Sequence, residues 1–100
     1  MAVKSKTADE KRHMQAVADL GCIACRKIGH YGTPAELHHI RETAGVGQRS
    51  SHYEVIPLCY HHHRGVSKLV PSVHMSRKAF VDAYGTEKDL LDEVMALLGR

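Results

Sequence analysis

Cys22-Ile-Ala-Cys25 and Cys59-Tyr-His-His62 are two pairs of donors at the same short spacing, and together they use every cysteine in the chain. Zinc favours four-coordinate tetrahedral sites, and three thiolates with one imidazole form a common structural set. Each C-x-x-C or C-x-x-H turn lets two ligands converge on one ion while backbone N–H groups support the thiolates. Residues 26–58 between the pairs exceed the loop of a short zinc finger, so two other readings stay open at this point. The cysteines could be small buried hydrophobes, or Cys22 and Cys25 could be a redox pair. A thioredoxin-like pair opens a helix after a strand, whereas this one follows a helical pattern and precedes a strand-like run.

Size favours the metal. A chain of 100 residues buries only roughly 60–70% of the surface its unfolded form exposes. The aromatic content is thin, Phe80 and four tyrosines without tryptophan, and cores of this kind are often stapled by a disulfide or a metal. An odd number of cysteines, with no secretion signal in MAVKSKTADEKR, argues for a reducing compartment and against disulfides. No run of about 20 apolar residues is present, so no membrane span is expected. The net charge of +3 permits a polyanionic partner without demanding one.

Thr7-Ala8-Asp9-Glu10 has the form of a capping box, and Met14, Val17 and Leu20 follow at helical spacing before Gly21. A first helix over about 8–20 is predicted. Cys22 to Gly32 reads as a turn-rich knuckle. Glu36–Ile40 and Tyr53–Leu58 read as short strands around the polar loop RETAGVGQRSSH. A helix starts near Tyr60. Ser76 is placed to cap a short helix over 77–84, stopped by Gly85. Thr86 opens the last helix, about 87–98, with Leu90, Leu91, Val94, Leu97 and Leu98 as its apolar stripe.

Histidine is the outlier of the composition, nine residues of which six lie between positions 38 and 63. The zinc site takes His62 and leaves His63 beside it. His38 and His39 are consecutive on a predicted strand, where side chains alternate between faces. One could bind an ion while the other faces a substrate, or both could be ordinary edge-strand histidines. His61 points to another face of its turn, and His13 and His30 have no assigned role.

In order, Cys22–Cys25, Leu37-His38-His39-Ile40, Pro57-Leu58-Cys59 with His62-His63, and Val73-His74 resemble the HNH endonucleases of the ββα-metal type. Within that type they are most similar to small phage nucleases typified by the recombination-associated Ref. The HNH pattern covers about residues 22–63, and the Ref-like pattern reaches His74. The resemblance implies an α+β chain with a small zinc-stapled ββα-metal core, about 22–75, and flanking N- and C-terminal helices, all of 1–100 forming one nuclease domain. It implies that His39 is the general base and that His38 and His63 hold a catalytic divalent ion, Mg²⁺ or Mn²⁺ with Zn²⁺ as the alternative. A neutral imidazole with a pKa of about 6.5 can accept a proton at physiological pH. The ion would neutralise charge on the phosphate and stabilise the leaving oxygen.

His74 matches the late Val-His and is the candidate third ligand; a surface histidine before a helix would stand in the same place. The Asn of the HNH pattern is missing, and His52 or Glu54 occupies its neighbourhood. His52 is placed to orient His39 or approach the metal, or it is a loop residue.

Arg41, Arg49, Arg64, Lys68, Arg77 and Lys78 flank the predicted centre. Such groups position a phosphodiester backbone and make affinity depend on salt, although any single one is usually a solvated surface charge. No base-reading helix or RNP-like aromatic motif is visible, so cleavage with little sequence specificity is expected. The resemblance implies DNA as substrate, a phage or prophage enzyme in the bacterial cytoplasm, and action with a recombinase filament. Ref-like relatives carry a long basic N-terminal extension, where this chain has Lys4 and Lys6 before its first helix. The competing reading is a non-catalytic zinc-binding adaptor for DNA or protein. An adaptor needs Cys22, Cys25, Cys59 and His62, but has no use for His38, His39 and His63 together.

Overall fold

The first helix, α1 (Ala8–Asp19), begins with the expected capping box: the Thr7 hydroxyl accepts from the Glu10 N–H at 3.1 Å, and the Thr7 N–H donates to the Glu10 carboxylate at 2.8 Å. The computed structural model describes residues 6–41, 51–65 and 69–100. Arg49 and Lys68 lie outside the described residues. Gly21 ends α1 for two reasons. Its φ is +74°, and a Cβ there would stand 3.0 Å from the Thr33 carbonyl, because the Cys22 N–H donates to that oxygen at 2.9 Å. A side chain would be strained and would also push the two segments apart.

The knuckle, expected from its sequence to be turns, contains a helical turn. In α2 (Ile23–Lys27), Cys22 takes the N-cap position and its sulfur accepts from the Cys25 N–H at 3.4 Å. The thiol thus stands where a serine or aspartate oxygen usually caps a helix. Two short strands follow, β1 (Glu36–His39) and β2 (Val55–Leu58), paired antiparallel with His38 opposite Ile56 and His39 opposite Val55. All four β2 side chains are buried, so the strand is covered on both faces. Pro57, which cannot donate to a ladder, is tolerated there because β2 has only β1 as a hydrogen-bonded neighbour among the described residues.

Helices α3 (Tyr60–His63), α4 (Arg77–Tyr84) and α5 (Glu87–Leu97) complete the order. Ser76 stands before α4 but does not cap it with its side chain. Its oxygen instead accepts from the Ser72 N–H at 2.8 Å, closing the preceding turn. Thr86 and Asp89 do form a reciprocal capping box on α5. Of the predicted stripe, Leu90, Leu91 and Val94 join one core with Val17, Ile56 and Phe80, whereas Leu97 is 47% exposed beyond its edge. None of the helices is long and apolar enough to cross a membrane.

His13 is a polar member of this interior, 2% exposed. Its Nδ1 accepts from the Arg100 guanidinium at 2.7 Å, its ring packs against Tyr53, and Nε2 is buried without a well-formed hydrogen bond. Burial first, and Arg100 second, lower its pKa below 6.5. The unfolded chain therefore binds the proton more readily, and the stability tied to the neutral ring is present above pH 6.5 and lost progressively as pH falls below it through the lowered folded-state value. His13→Phe is expected to flatten the dependence of unfolding free energy on pH between about 5 and 7 relative to wild type. Denaturant melts across that range check it.

Candidate metal centres

The C-x-x-C turn and the C-x-x-H turn meet. Sulfurs of Cys22, Cys25 and Cys59 and Nδ1 of His62 all lie within 4.8 Å of one another, and all four residues are buried. A tetrahedral zinc with bonds of about 2.3 Å to sulfur and 2.0–2.1 Å to nitrogen separates its ligands by about 3.8 Å (S···S) and 3.6 Å (S···N). Cys25 and Cys59 sulfurs are 3.8 Å apart, and Nδ1 of His62 is 3.6 Å from both Cys22 and Cys25. The Cys59–His62 separation, 3.1 Å, is tighter than that cage. The donor set and its size suit zinc.

Local structure explains the convergence. Cys22 and Cys25 sit at the cap and third position of α2, while Cys59 and His62 hold the equivalent positions on α3. Burial pushes the Cys22 thiol up to about 12 and the Cys25 thiol upward as well, so a cation is what would make thiolates of them near neutral pH. Burial, followed by His61, keeps His62 below its ordinary value and therefore neutral. Its Nε2 meets the Tyr84 hydroxyl at 2.9 Å, which fixes the ring with Nδ1 inward. Nothing about Tyr84 in the sequence marks it for that task.

A second group of donors lies on the far side of the division between His62 and His63. Nitrogens of His38, His63 and His74 converge within the same 4.8 Å limit. Nε2 of His63 is 3.2 Å from Nδ1 of His38 and 3.1 Å from Nε2 of His74. β1 brings His38, α3 brings His63, and a loop brings His74. That loop is pinned to α3 by backbone bonds, Val73 N–H to the His62 carbonyl at 2.9 Å and His74 N–H to the His63 carbonyl at 3.3 Å. It passes so close over Gly65 that a Cβ there would stand 2.4 Å from the Ser72 oxygen. His38 is buried, His63 half-buried and His74 exposed, so the cluster opens outward at one side. Burial, then His38 and His63, lower the pKa of His74.

Two carboxylates that the sequence reading missed back this cluster. Glu87, fully buried at the start of α5, bonds Nε2 of His38. It also accepts from the Arg41 backbone N–H at 3.2 Å and from the Arg77 guanidinium at 3.1 Å. Burial alone would raise its pKa, but the His38 bond, the Arg41 amide and Arg77 outweigh it and hold the carboxyl at about 2. Glu36 accepts from Nδ1 of His63 at 2.8 Å and from Arg64 at 3.0 Å. The His63 bond is the main cause of its lowered pKa.

His39 is outside both groups, as strand alternation requires. Its Nε2 lies 3.0 Å from Nδ1 of His52, and both rings are half-buried. Burial first, then the neighbouring His52 and His38, lower its pKa. Glu54 accepts from the Ser51 N–H at 3.2 Å in the turn before β2 and belongs to neither group. His61 and His30 are exposed. All four predicted substrate contacts among the described residues, Arg41, Arg64, Arg77 and Lys78, are exposed, and Arg64 and Arg77 also pair with Glu36 and Glu87. The family model described as recombination enhancement, RecA-dependent nuclease, matches residues 6–99, a span that takes in both donor groups and every element from α1 to α5, and the chain belongs to that family.

Proposed function

We propose that this chain is a metal-dependent DNA endonuclease that acts with RecA in recombination, working by HNH-type chemistry on a ββα-metal core within one domain over residues 1–100. The observation that carries the reading is the convergence of His38, His63 and His74 nitrogens, with His39 of the His39–His52 pair one residue along β1 from His38. The order β1, β2, α3 supplies the two strands and helix of such a core, and the family description supplies the nuclease activity and the recombination context.

Cys22, Cys25, Cys59 and His62 hold a structural zinc. His38, His63 and His74 hold Mg²⁺ or Mn²⁺, with Zn²⁺ as the alternative; the ion supplies charge neutralisation at the scissile phosphate and the leaving oxygen. His39 removes the proton from the attacking water. By donating its Nε2–H to His52 it keeps the ring in place and leaves Nδ1 to receive that proton. Arg41 and Lys78 contact backbone phosphates, and Arg49 and Lys68 are assigned the same task from their place in the sequence. Arg64 and Arg77, exposed beside the same cluster, also pair with Glu36 and Glu87.

Nicking of supercoiled plasmid and of single-stranded circles, each with and without RecA filaments and with Mg²⁺ or Mn²⁺, tests the reading. Cleavage that requires the divalent ion and disappears in His63→Ala is expected. A zinc-loaded protein that binds DNA but cleaves under none of these conditions would replace the nuclease by the adaptor.

A further inference from the structure

We propose that Glu87 and Glu36 are positioning residues of the three-histidine site, each taking one ring N–H of a ligand histidine and so aiming the other, unprotonated nitrogen at the ion. The proposal rests on the reading of that cluster as the catalytic metal site.

An ionised carboxylate only accepts hydrogen bonds. The ring nitrogens that face Glu87 and Glu36, Nε2 of His38 and Nδ1 of His63, therefore carry the protons. In neutral rings the other nitrogens, Nδ1 of His38 and Nε2 of His63, are then bare lone pairs, and they face each other at 3.2 Å. Two acceptors at that distance have no proton to share and repel. A cation between them turns the same arrangement into a site. Bonds of about 2.1 Å place neighbouring ligands about 3.0 Å apart at octahedral angles and about 3.4 Å apart at tetrahedral ones. The separations of 3.2 and 3.1 Å around Nε2 of His63 fall between these limits.

Each carboxylate is itself held by an arginine. Glu87 accepts from Arg77 at 3.1 Å, and Glu36 accepts from Arg64 at 2.7 Å. An Arg–Glu–His chain thus occurs twice and ends both times at the cluster. The two copies come from different elements, α4 and α5 onto β1 in one case, α3 and β1 onto α3 in the other. Arg64 and Arg77 thereby serve the site through the carboxylates. Groups that orient a ligand histidine in this way typically set metal affinity by roughly 10–100-fold.

The test loads the protein with one equivalent of zinc and titrates it with Mn²⁺, reading free Mn²⁺ by electron paramagnetic resonance. Wild type is expected to take up one further ion per chain. Glu87→Gln and Glu36→Gln are each expected to weaken that uptake by roughly 10–100-fold, with zinc content unchanged. The Mn²⁺ concentration for half-maximal cleavage should move by the same factor. A carboxylate that merely supported the fold would lower the amount of active protein and leave the Mn²⁺ midpoint in place, and that result overturns the proposal. Should Glu87→Gln lose its zinc and fail to fold, Glu36→Gln decides, since that carboxylate is partly exposed. Wild type that takes up no second ion overturns the metal reading itself, and the positioning role with it.

Discussion

His39→Ala is expected to lower DNA cleavage by about 10²–10⁴-fold, the usual contribution of a positioned general base, while zinc content and Mn²⁺ uptake stay at wild-type levels. The separation of effects follows from the geometry. His39 lies on the opposite face of β1 from His38 and belongs to neither donor group, so its loss takes no ligand from either ion. Its partner His52 sits 3.0 Å away and is only half-buried, so water can replace the lost bond. Burial, His52 and His38 all keep the ring neutral at pH 7, which is the state a base needs. A base whose pKa is lowered stays active to lower pH, so the acid limb of the rate profile should lie below pH 6.5 and vanish in His39→Ala. Supercoiled-plasmid nicking against pH measures both. Cleavage by folded His39→Ala at the wild-type rate would sink the assignment.

Removing the zinc is expected to unfold the protein. Structural zinc contributes roughly 10–16 kcal/mol of apparent binding free energy near pH 7, while a whole domain is stable by only about 5–15 kcal/mol. The donors here are part of the core: Cys22, Cys25, Cys59 and His62 are buried among Ile23, Leu58 and Phe80. The quartet also joins α2 to α3 across residues 26–58, so its loss frees a long loop as well as opening the interior. Cys59→Ser, or chelation of the wild type, should abolish the cooperative thermal transition and most helical circular dichroism. Retention of both after zinc is shown to be gone would refute the staple. The contrast with His63→Ala is informative, because that variant should keep its transition and lose only the second ion.

Much of this site is visible in the chain as written because its donors come in local pairs. Cys22 with Cys25, and Cys59 with His62, are three residues apart, and that spacing directs both ligands of a helical turn to one side. The same locality made the Thr7–Glu10 capping box legible and marked Thr86 as the opening of the last helix, where it pairs with Asp89. Ser76 shows the limit of such rules. It occupies the cap position, yet Ser72 competes for its hydroxyl and wins it. In α2 the cap is a thiol, a residue that carries no helix-start signal of its own.

Glu36, Tyr84 and Glu87 were not legible. Glu87 reads as an acidic residue in the first turn of a helix, where a carboxylate is favoured by the dipole and usually faces water. Its burial against His38, 49 residues earlier in the chain, comes only from the docking of α5 beside β1. Arg64 and Arg77 read as phosphate contacts from their place near the histidines, and the carboxylate that packing brings to each is likewise not written locally. The donor inventory, three cysteines with His38, His62, His63 and His74 in ordered blocks, was set by covalent order, because short-range spacing already dictates which donors share a turn. Which nitrogen of each imidazole faces its cluster, and which carboxylate and arginine stand behind it, was decided by tertiary packing. A ring's tautomer depends on partners tens of residues away, and no local pattern encodes them.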